Sequence, residues 1–304
     1  MTAPGTGVVL SGTGGVWRVR DEHGVTHDAS MRGRLKAGEG LKLAVGDRVT
    51  LEHDDAMTIA AILPRRSTLA RRAPGNRHRS RVVVANMDQV VVVFAVVKPE
   101  PHRGMLDRFL VIAESNDIPA RIVINKVDLD QNTRAAELFA DYERAGYPVH
   151  YTSVKRGVGL AEVGAVLAGR ISALTGPSGV GKSSLLNAIY PGLDLRVGEI
   201  SESVNKGRHT TVGALMHPLP DGGYVVDTPG LREVGVWGVD ASNLAACFPE
   251  FRGALGSCRF RDCRHVSEPG CAVRELVAQR VASGERYDSY LKLLEEAEGV
   301  GGRE

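Results

Sequence analysis

One octapeptide restricts the fold of this chain more than any other part of it: Gly176, Pro177, Ser178, Gly179, Val180, Gly181, Lys182 and Ser183, which match G-x-x-x-x-G-K-[ST] at every fixed position. The chemistry needs those residue types. Glycines let the backbone aim successive N–H groups inward with no Cβ in the way. Lys182 brings a positive charge to the β- and γ-phosphates of a nucleotide, and Ser183 brings a hydroxyl to Mg²⁺. A helix after the loop points its positive end at the anion. The loop therefore demands a strand before it and a helix after it, and "ISAL" and "SSLLNAI" supply them. The pattern does not choose between ATP and GTP, so a P-loop ATPase or kinase remains the alternative at this point.

The surrounding sequence agrees with a parallel α/β sheet. "QVVVVFAVV", from Gln89, is a continuous β-branched run, as expected of a strand buried on both faces. Helical and strand patterns then alternate: "MLDRFLVIAES", "ARIVIN", "TRAAELFADYERAG", "PVHYTS", "GLAEVGAVLAG", "RISALTG", "GKSSLLNAIY" and "GYVVDTPG". This domain is expected over 82–237. Ahead of it, "GVVLS", "GVWRVR", "GVTHDAS", "GDRVTLE" and "MTIAAIL" read as about five short strands of a small β-unit over 1–70. An OB-type barrel fits, and an SH3-like barrel fits nearly as well. Between them, "RRSTLARRAPGNRHRSR" holds seven arginines and no acid, although the whole chain carries only +2. That run reads either as a solvated basic linker, placed at 71–81, or as a footprint for a polyanion such as RNA. The last part, 238–304, is expected to be mostly helical, with Tyr287, Tyr290, Leu291 and Leu294 forming a packing stripe.

A second nucleotide motif lies in an unexpected place. Asn125, Lys126, Val127 and Asp128 follow the apolar strand "RIVI" as "NKVD". Guanine presents N1–H and an exocyclic amine side by side, and one carboxylate can accept both; adenine has no such pair. Asp128 is the base reader on this reading, Asn125 ties the loop together, and the Lys126 stem covers the ring. "YTS", ending at Ser153, is positioned for a backbone contact to the guanine oxygen. In GTP-binding domains the cradle normally precedes the clamp, and here the clamp comes first. In an open α/β sheet all these loops sit at the carboxyl edge of the strands, so joining the old ends and opening a new break leaves the site intact. The order is that of a circular permutation.

The switch elements come after the cradle. "DTPG", from Asp227 to Gly230, ends a strand, where Asp227 can hold the Mg²⁺ shell and Gly230 can give its N–H to a γ-phosphate. In "GRHTT", Thr210 or Thr211 completes the Mg²⁺ shell, with Thr211 preferred. Leu231 stands where many GTPases place a water-orienting glutamine. Slow intrinsic turnover, open to acceleration by a partner, is therefore expected, with His209 as a polar substitute.

Four cysteines all fall in the last fifth of the chain. Cys258, Cys263, His265 and Cys271 are spaced C-x4-C-x-H-x5-C, enough to close a tetrahedral structural Zn²⁺ shell. Cys247 lies outside this set and is expected to pack in a core. No run approaches a membrane span, and "MTAPGTGVVLSG" has neither a basic n-region nor an apolar h-region. A cytoplasmic protein without membrane contact is expected.

"NKVD", "GPSGVGKSS", "GRHTT", "DTPGL" and "CRFRDCRHVSEPGC", in that order behind a basic N-terminal barrel, resemble the RsgA (YjeQ-like) family of small ribosomal subunit biogenesis GTPases. The resemblance covers almost the whole chain. It implies a multi-domain α/β protein with an N-terminal OB-type β-barrel, a circularly permuted P-loop GTPase domain and a C-terminal, mostly helical zinc-binding domain. It further implies hydrolysis of GTP to GDP with Mg²⁺, stimulated by the small ribosomal subunit, and a role in late maturation of that subunit. Carried over, Asn125, Lys126 and Asp128 bind guanine, Gly176 through Ser184 bind phosphates, and Cys258, Cys263, His265 and Cys271 bind one zinc. The implied partners are the small subunit and its rRNA, met by a monomer.

Overall fold

The computed structural model of the chain describes residues 5–33, 42–53, 56–73, 76–131, 134–195, 214–227 and 239–299. The N-terminal unit is a closed barrel of β1 (Gly5–Thr13), β2 (Val16–Asp21), β3 (Thr26–Met31), β4 (Arg48–His53) and β5 (Met57–Ile62). The strand order is β1-β2-β3-β5-β4, with β4 closing antiparallel onto β1 and β3 pairing parallel with β5. That order selects the OB-type arrangement over the SH3-like one. The period-2 pattern of the strands explains the filling: Val9, Val19, Val49, Leu51 and Ile59 are buried inside, while alternate residues face out.

The basic segment expected as a linker is not irregular. β6 (Thr68–Ala73) pairs antiparallel with β7 (Asn76–Ala85) as a two-stranded hairpin. The arginines hid a regular pairing because the apolar pair that anchors it, buried Leu69 opposite Val84, lies at its base. One backbone and one side-chain hydrogen bond tie the barrel to the end of this hairpin: Ala85 N–H donates to Val45 O at 2.8 Å, and the side-chain amide of Asn86, the next residue, donates from Nδ2 to Gly46 O at 2.9 Å.

The central sheet has six strands: β8 (Gln89–Ala95), β9 (Ala120–Asn125), β10 (Val149–Tyr151), β11 (Ile171–Thr175), β12 (Leu215–Pro218) and β13 (Tyr224–Asp227). Its order is β10-β9-β8-β11-β13-β12, parallel throughout except for the edge strand β12. Among the described residues four helices cover it: α1 (Arg103–Glu114), α2 (Arg134–Arg144), α3 (Leu160–Leu167) and α4 (Lys182–Ile189). The valine run of β8 is divided between two cores. Val90, Val92 and Phe94 pack with Leu106, Leu110 and Phe139 on one face; Val91 and Val93 pack with Val163, Leu185 and Leu186 on the other.

The C-terminal part is built from two 3-10 turns (Ala241–Cys247 and Pro249–Ala254), α5 (Ala272–Ala278) and α6 (Gly284–Gly299). Phe248, Phe251, Tyr290 and Leu294 form its core, with Cys247 buried among them and Val111 of α1 joining from the central domain. Tyr287 and Leu291, the other members of the sequence stripe, pack partly buried against it. No helix among the described residues is long and apolar enough to cross a membrane.

Candidate functional site

Because β8, β9, β10, β11 and β13 run in parallel, the loops after them all open at one edge of the sheet. β11 ends at Thr175 and the cradle begins at once. Gly176 has φ 135°, and a Cβ there would sit 2.0 Å from the carbonyl oxygen of Val93. Only glycine allows the loop to turn off the neighbouring strand so closely. Gly181, at φ 95°, is the residue before α4, and a Cβ there would meet the Asn125 amide at 2.7 Å. Lys182 is 3% exposed, and its ammonium donates to the carbonyls of Gly176 (2.9 Å) and Pro177 (2.7 Å). It folds back over the loop it would share with a phosphate. Val180 and Ser183 are buried, Ser184 is half-buried, and Ser178 and Gly179 form the exposed apex.

The clamp meets this loop directly. Asn125, 2% exposed at the end of β9, donates from Nδ2 to the carbonyl of Val180 at 2.9 Å. Its Oδ1 accepts from the Thr152 hydroxyl at 3.1 Å. Lys126, in the left-handed region at φ 64°, lays its stem across to the cradle and donates to Gly179 O at 2.6 Å and to Lys98 O. Burial of this ammonium lowers its pKa from the usual lysine value, with the Asp128 charge opposing. Val127 N–H donates to Thr152 O at 3.1 Å, so the loops after β9 and β10 are stitched by backbone as well as side chains.

Asp128 projects from the same loop and accepts from the Ser153 hydroxyl at 2.6 Å. That hydrogen bond, helped by the charges of Lys155 and Arg156, holds the Asp128 carboxyl below the ordinary value despite some desolvation. Ser153 itself accepts from the Arg156 N–H at 3.1 Å. The hydroxyl of Ser153 thus orients the Asp128 carboxylate, a contact distinct from the backbone contact expected of it. Thr152, Lys98 and Arg156 were not singled out from the sequence. Thr152 stood inside the quoted "YTS" and carried the only available signal, a hydroxyl directly after a strand that neighbours the clamp strand.

Asp227 closes β13 at the same edge. Its side chain, and the whole of His209, Thr210, Thr211, Gly230 and Leu231, lie outside the described residues.

In the C-terminal part, one ligand atom each from Cys258, Cys263, His265 and Cys271 lies within 4.8 Å of every other. His265 Nδ1 is 3.5 Å from Cys258 Sγ and 3.4 Å from Cys271 Sγ. A tetrahedral Zn²⁺ with bonds of about 2.0–2.3 Å places its ligand atoms about 3.5–4 Å apart. The donor set and its spread fit such an ion. Burial pushes the Cys263 thiol up to about 12, with Cys271 and Cys258 adding to the shift, so this thiol ionises at neutral pH only with a cation beside it. α6 holds the loop from behind: Tyr287 donates to His265 O and Tyr290 to Arg264 O, both at 2.6 Å. Glu268 accepts from the N–H groups of Arg264, Val266 and Ser267 at 2.8–3.0 Å and sets the turn between His265 and Cys271.

This arrangement has close counterparts. The RsgA GTPase family model matches residues 62–237. The small ribosomal subunit biogenesis GTPase RsgA of Gemmatimonas aurantiaca is 60% identical over 305 residues, 98% of this chain and 99% of that one. The protein of the same name from Azotobacter vinelandii is 44% identical over 83% of this chain and 74% of its own length. Among solved structures, YjeQ from Thermotoga maritima superposes with a TM-score of 0.82 at 37% identity, covering 99% of this chain and 100% of the other. YloQ, a circularly permuted GTPase, superposes with a TM-score of 0.78 at 29% identity over 100% of this chain and 98% of the other. The chain belongs to the RsgA family of GTPases and carries the circularly permuted order, clamp before cradle, that its own sheet topology accommodates.

Proposed function

We propose that this chain hydrolyses GTP in the service of small ribosomal subunit biogenesis, that it binds the small subunit and its rRNA as a cytoplasmic monomer, and that the subunit stimulates its turnover. The names of the relatives support the biogenesis role. The observation that carries the nucleotide reading is the Asn125–Val180 hydrogen bond of 2.9 Å, which fastens clamp to cradle so that one guanosine nucleotide spans both.

On this reading Asp128 accepts the guanine N1–H and amine, the Lys126 stem covers the ring, and the amides of Gly176 to Ser184 cradle the phosphates. Lys182 turns from its own loop carbonyls to the β- and γ-phosphates. Ser183, Thr211 and Asp227 hold Mg²⁺, which when bound neutralises charge on the phosphate oxygens. Gly230 gives its N–H to the γ-phosphate. With leucine at position 231, no side-chain amide stands there to orient the attacking water, and His209 of "GRHTT" is the polar substitute for that role. Cys258, Cys263, His265 and Cys271 hold one structural zinc with no open position. The working division is a barrel over 1–70, the basic hairpin region around 71–81, the GTPase domain over 82–237 and the zinc domain over 238–304. The barrel, the arginines from 66 to 81 and the zinc domain supply the RNA-binding surface; Arg65 is taken out of it by its ion pair with buried Asp47 at 2.7 Å, which leaves its side chain 8% exposed.

Turnover of GTP against added small subunits, in a salt series, tests the whole reading. The expected result is a rate that climbs with subunit concentration and an affinity that falls as salt rises. A rate indifferent to subunits would sink the partner assignment. The base reader is tested apart: Asp128→Asn should weaken GDP binding about 100-fold and improve xanthosine diphosphate binding, because the donor–acceptor match inverts. An unchanged preference removes Asp128 from the clamp.

A further inference from the structure

The turn between the first two thiols, Arg259-Phe260-Arg261-Asp262, is pinned at both ends by a zinc-type ligand, Cys258 and Cys263. It is also held by backbone: Arg259 N–H donates to Gly270 O at 3.0 Å, and Cys263 N–H donates to Phe260 O at 3.3 Å. The surrounding core takes in Phe248, Phe251 and Tyr290, all at most 1% exposed. Phe260 is left outside it at 42% exposed, the one aromatic among the exposed large hydrophobic side chains of the described residues. Its ring is backed by the Arg259 guanidinium, 5.6 Å from the ring centroid.

Charge decides what such a tip meets. Residues 258–274 hold four arginines against two acids. One of those acids, Glu268, is turned onto backbone N–H groups, and Arg264 is paired with Glu298. Arg259 and Arg261 are exposed and make no ion pair among the described residues. A flat apolar ring between two guanidinium groups that make no ion pair among the described residues, on a turn whose single acid is Asp262, offers one face for stacking and two cations for the phosphates on either side. A duplex keeps its bases stacked on each other and cannot use the ring; an unpaired base can. A protein partner would use the ring but not the pair of cations around it.

We propose that Phe260 is a stacking platform for one unpaired RNA base, with Arg259 and Arg261 meeting the flanking phosphates. This rests on the small-subunit reading above and deepens it by naming the contact chemistry of the zinc domain.

Full-length, zinc-loaded protein binding to purified small subunits across a potassium chloride series tests it, with zinc content and melting temperature measured for each variant. Phe260→Ala should weaken binding about tenfold and leave the salt slope unchanged, because a stacked base releases no counterion. Phe260→Tyr should retain wild-type affinity. Arg261→Ala should lower the salt slope by about 1. Irradiation at 254 nm followed by mass spectrometry should place an RNA crosslink on Phe260. Wild-type affinity in Phe260→Ala overturns the platform and leaves the functional reading standing, as does a crosslink from this turn to a ribosomal protein instead of RNA. Failure of the wild-type protein to bind subunits at any salt overturns both.

Discussion

Lys182 and Arg286 are both buried cations, 3% and 1% exposed, and the fold treats them differently. Lys182 is held by carbonyls of its own loop, in a segment whose apex is exposed. Arg286 is held by carboxylates from two other elements: Asp107 of α1 at 2.7 Å, and Glu250 of the second 3-10 turn at 2.5 and 3.0 Å. Aromatic rings close over it, with Phe248 at 4.9 Å and Tyr142 at 5.1 Å from the guanidinium carbon. Burial works against its charge, yet Glu250 and Asp107 keep its pKa above the ordinary arginine value. The lesson is that burial of a charge does not by itself mark a functional site. A cation with two fixed carboxylates and stacked rings has nothing left to offer a ligand and serves to lock α6 to α1. A cation resting on weak carbonyl acceptors at an open loop can exchange them for phosphates.

The contrast breaks most sharply at the two cations themselves. Lys182→Ala should lower GTP hydrolysis by about 1000-fold with a melting temperature close to wild type. Arg286→Ala should do the reverse, costing about 3–5 kcal/mol in denaturant unfolding by leaving buried carboxylates uncompensated. An active Lys182→Ala protein, or an Arg286→Ala protein as stable as the parent, would erase the distinction. Metal removal is the next test. Stripping zinc with a chelator should loosen the C-terminal segment, read as faster hydrogen exchange in α5 and the 258–271 loop, while GDP affinity changes by less than about tenfold. Gly176→Ala is expected to cost a few kcal/mol of stability and most nucleotide binding, because the added carbon meets Val93 O at 2.0 Å. The smallest effect is at Ser153. Its hydroxyl holds Asp128 below the ordinary carboxylate value, so the carboxylate stays charged to lower pH than an unassisted one. Ser153→Ala should weaken GDP binding about threefold at neutral pH, and the loss of binding on acidification should begin at a higher pH than in the parent. Identical pH profiles would show that the hydroxyl does not tune the reader.

The site was more legible than the chain around it. Gly176 to Ser183 and Asn125 to Asp128 announce themselves because phosphate and guanine recognition each need particular atoms at a fixed spacing. The cluster of Cys258, Cys263, His265 and Cys271 was legible for the same reason. The hairpin of β6 and β7 was not: its sequence is arginine-rich, and its buried apolar pair, Leu69 opposite Val84, lies near its base. The edge strand β12 also went unread, being four residues long and followed by a Pro-containing turn. The Arg286 cluster was illegible because its three charged members, Asp107, Glu250 and Arg286, are distant in sequence and each alone resembles a surface charge.

What the sequence determined by itself is local chemistry: which loops can hold a phosphate, a guanine or a zinc ion, and that strands and helices alternate around the first two. Those depend on residue types within a few positions of each other. Whether two loops written in inverted order form one site was decided only by the tertiary structure. The parallel register of β8, β9 and β11 brings Asn125 to Val180, across 55 residues of chain, and no local pattern encodes that contact.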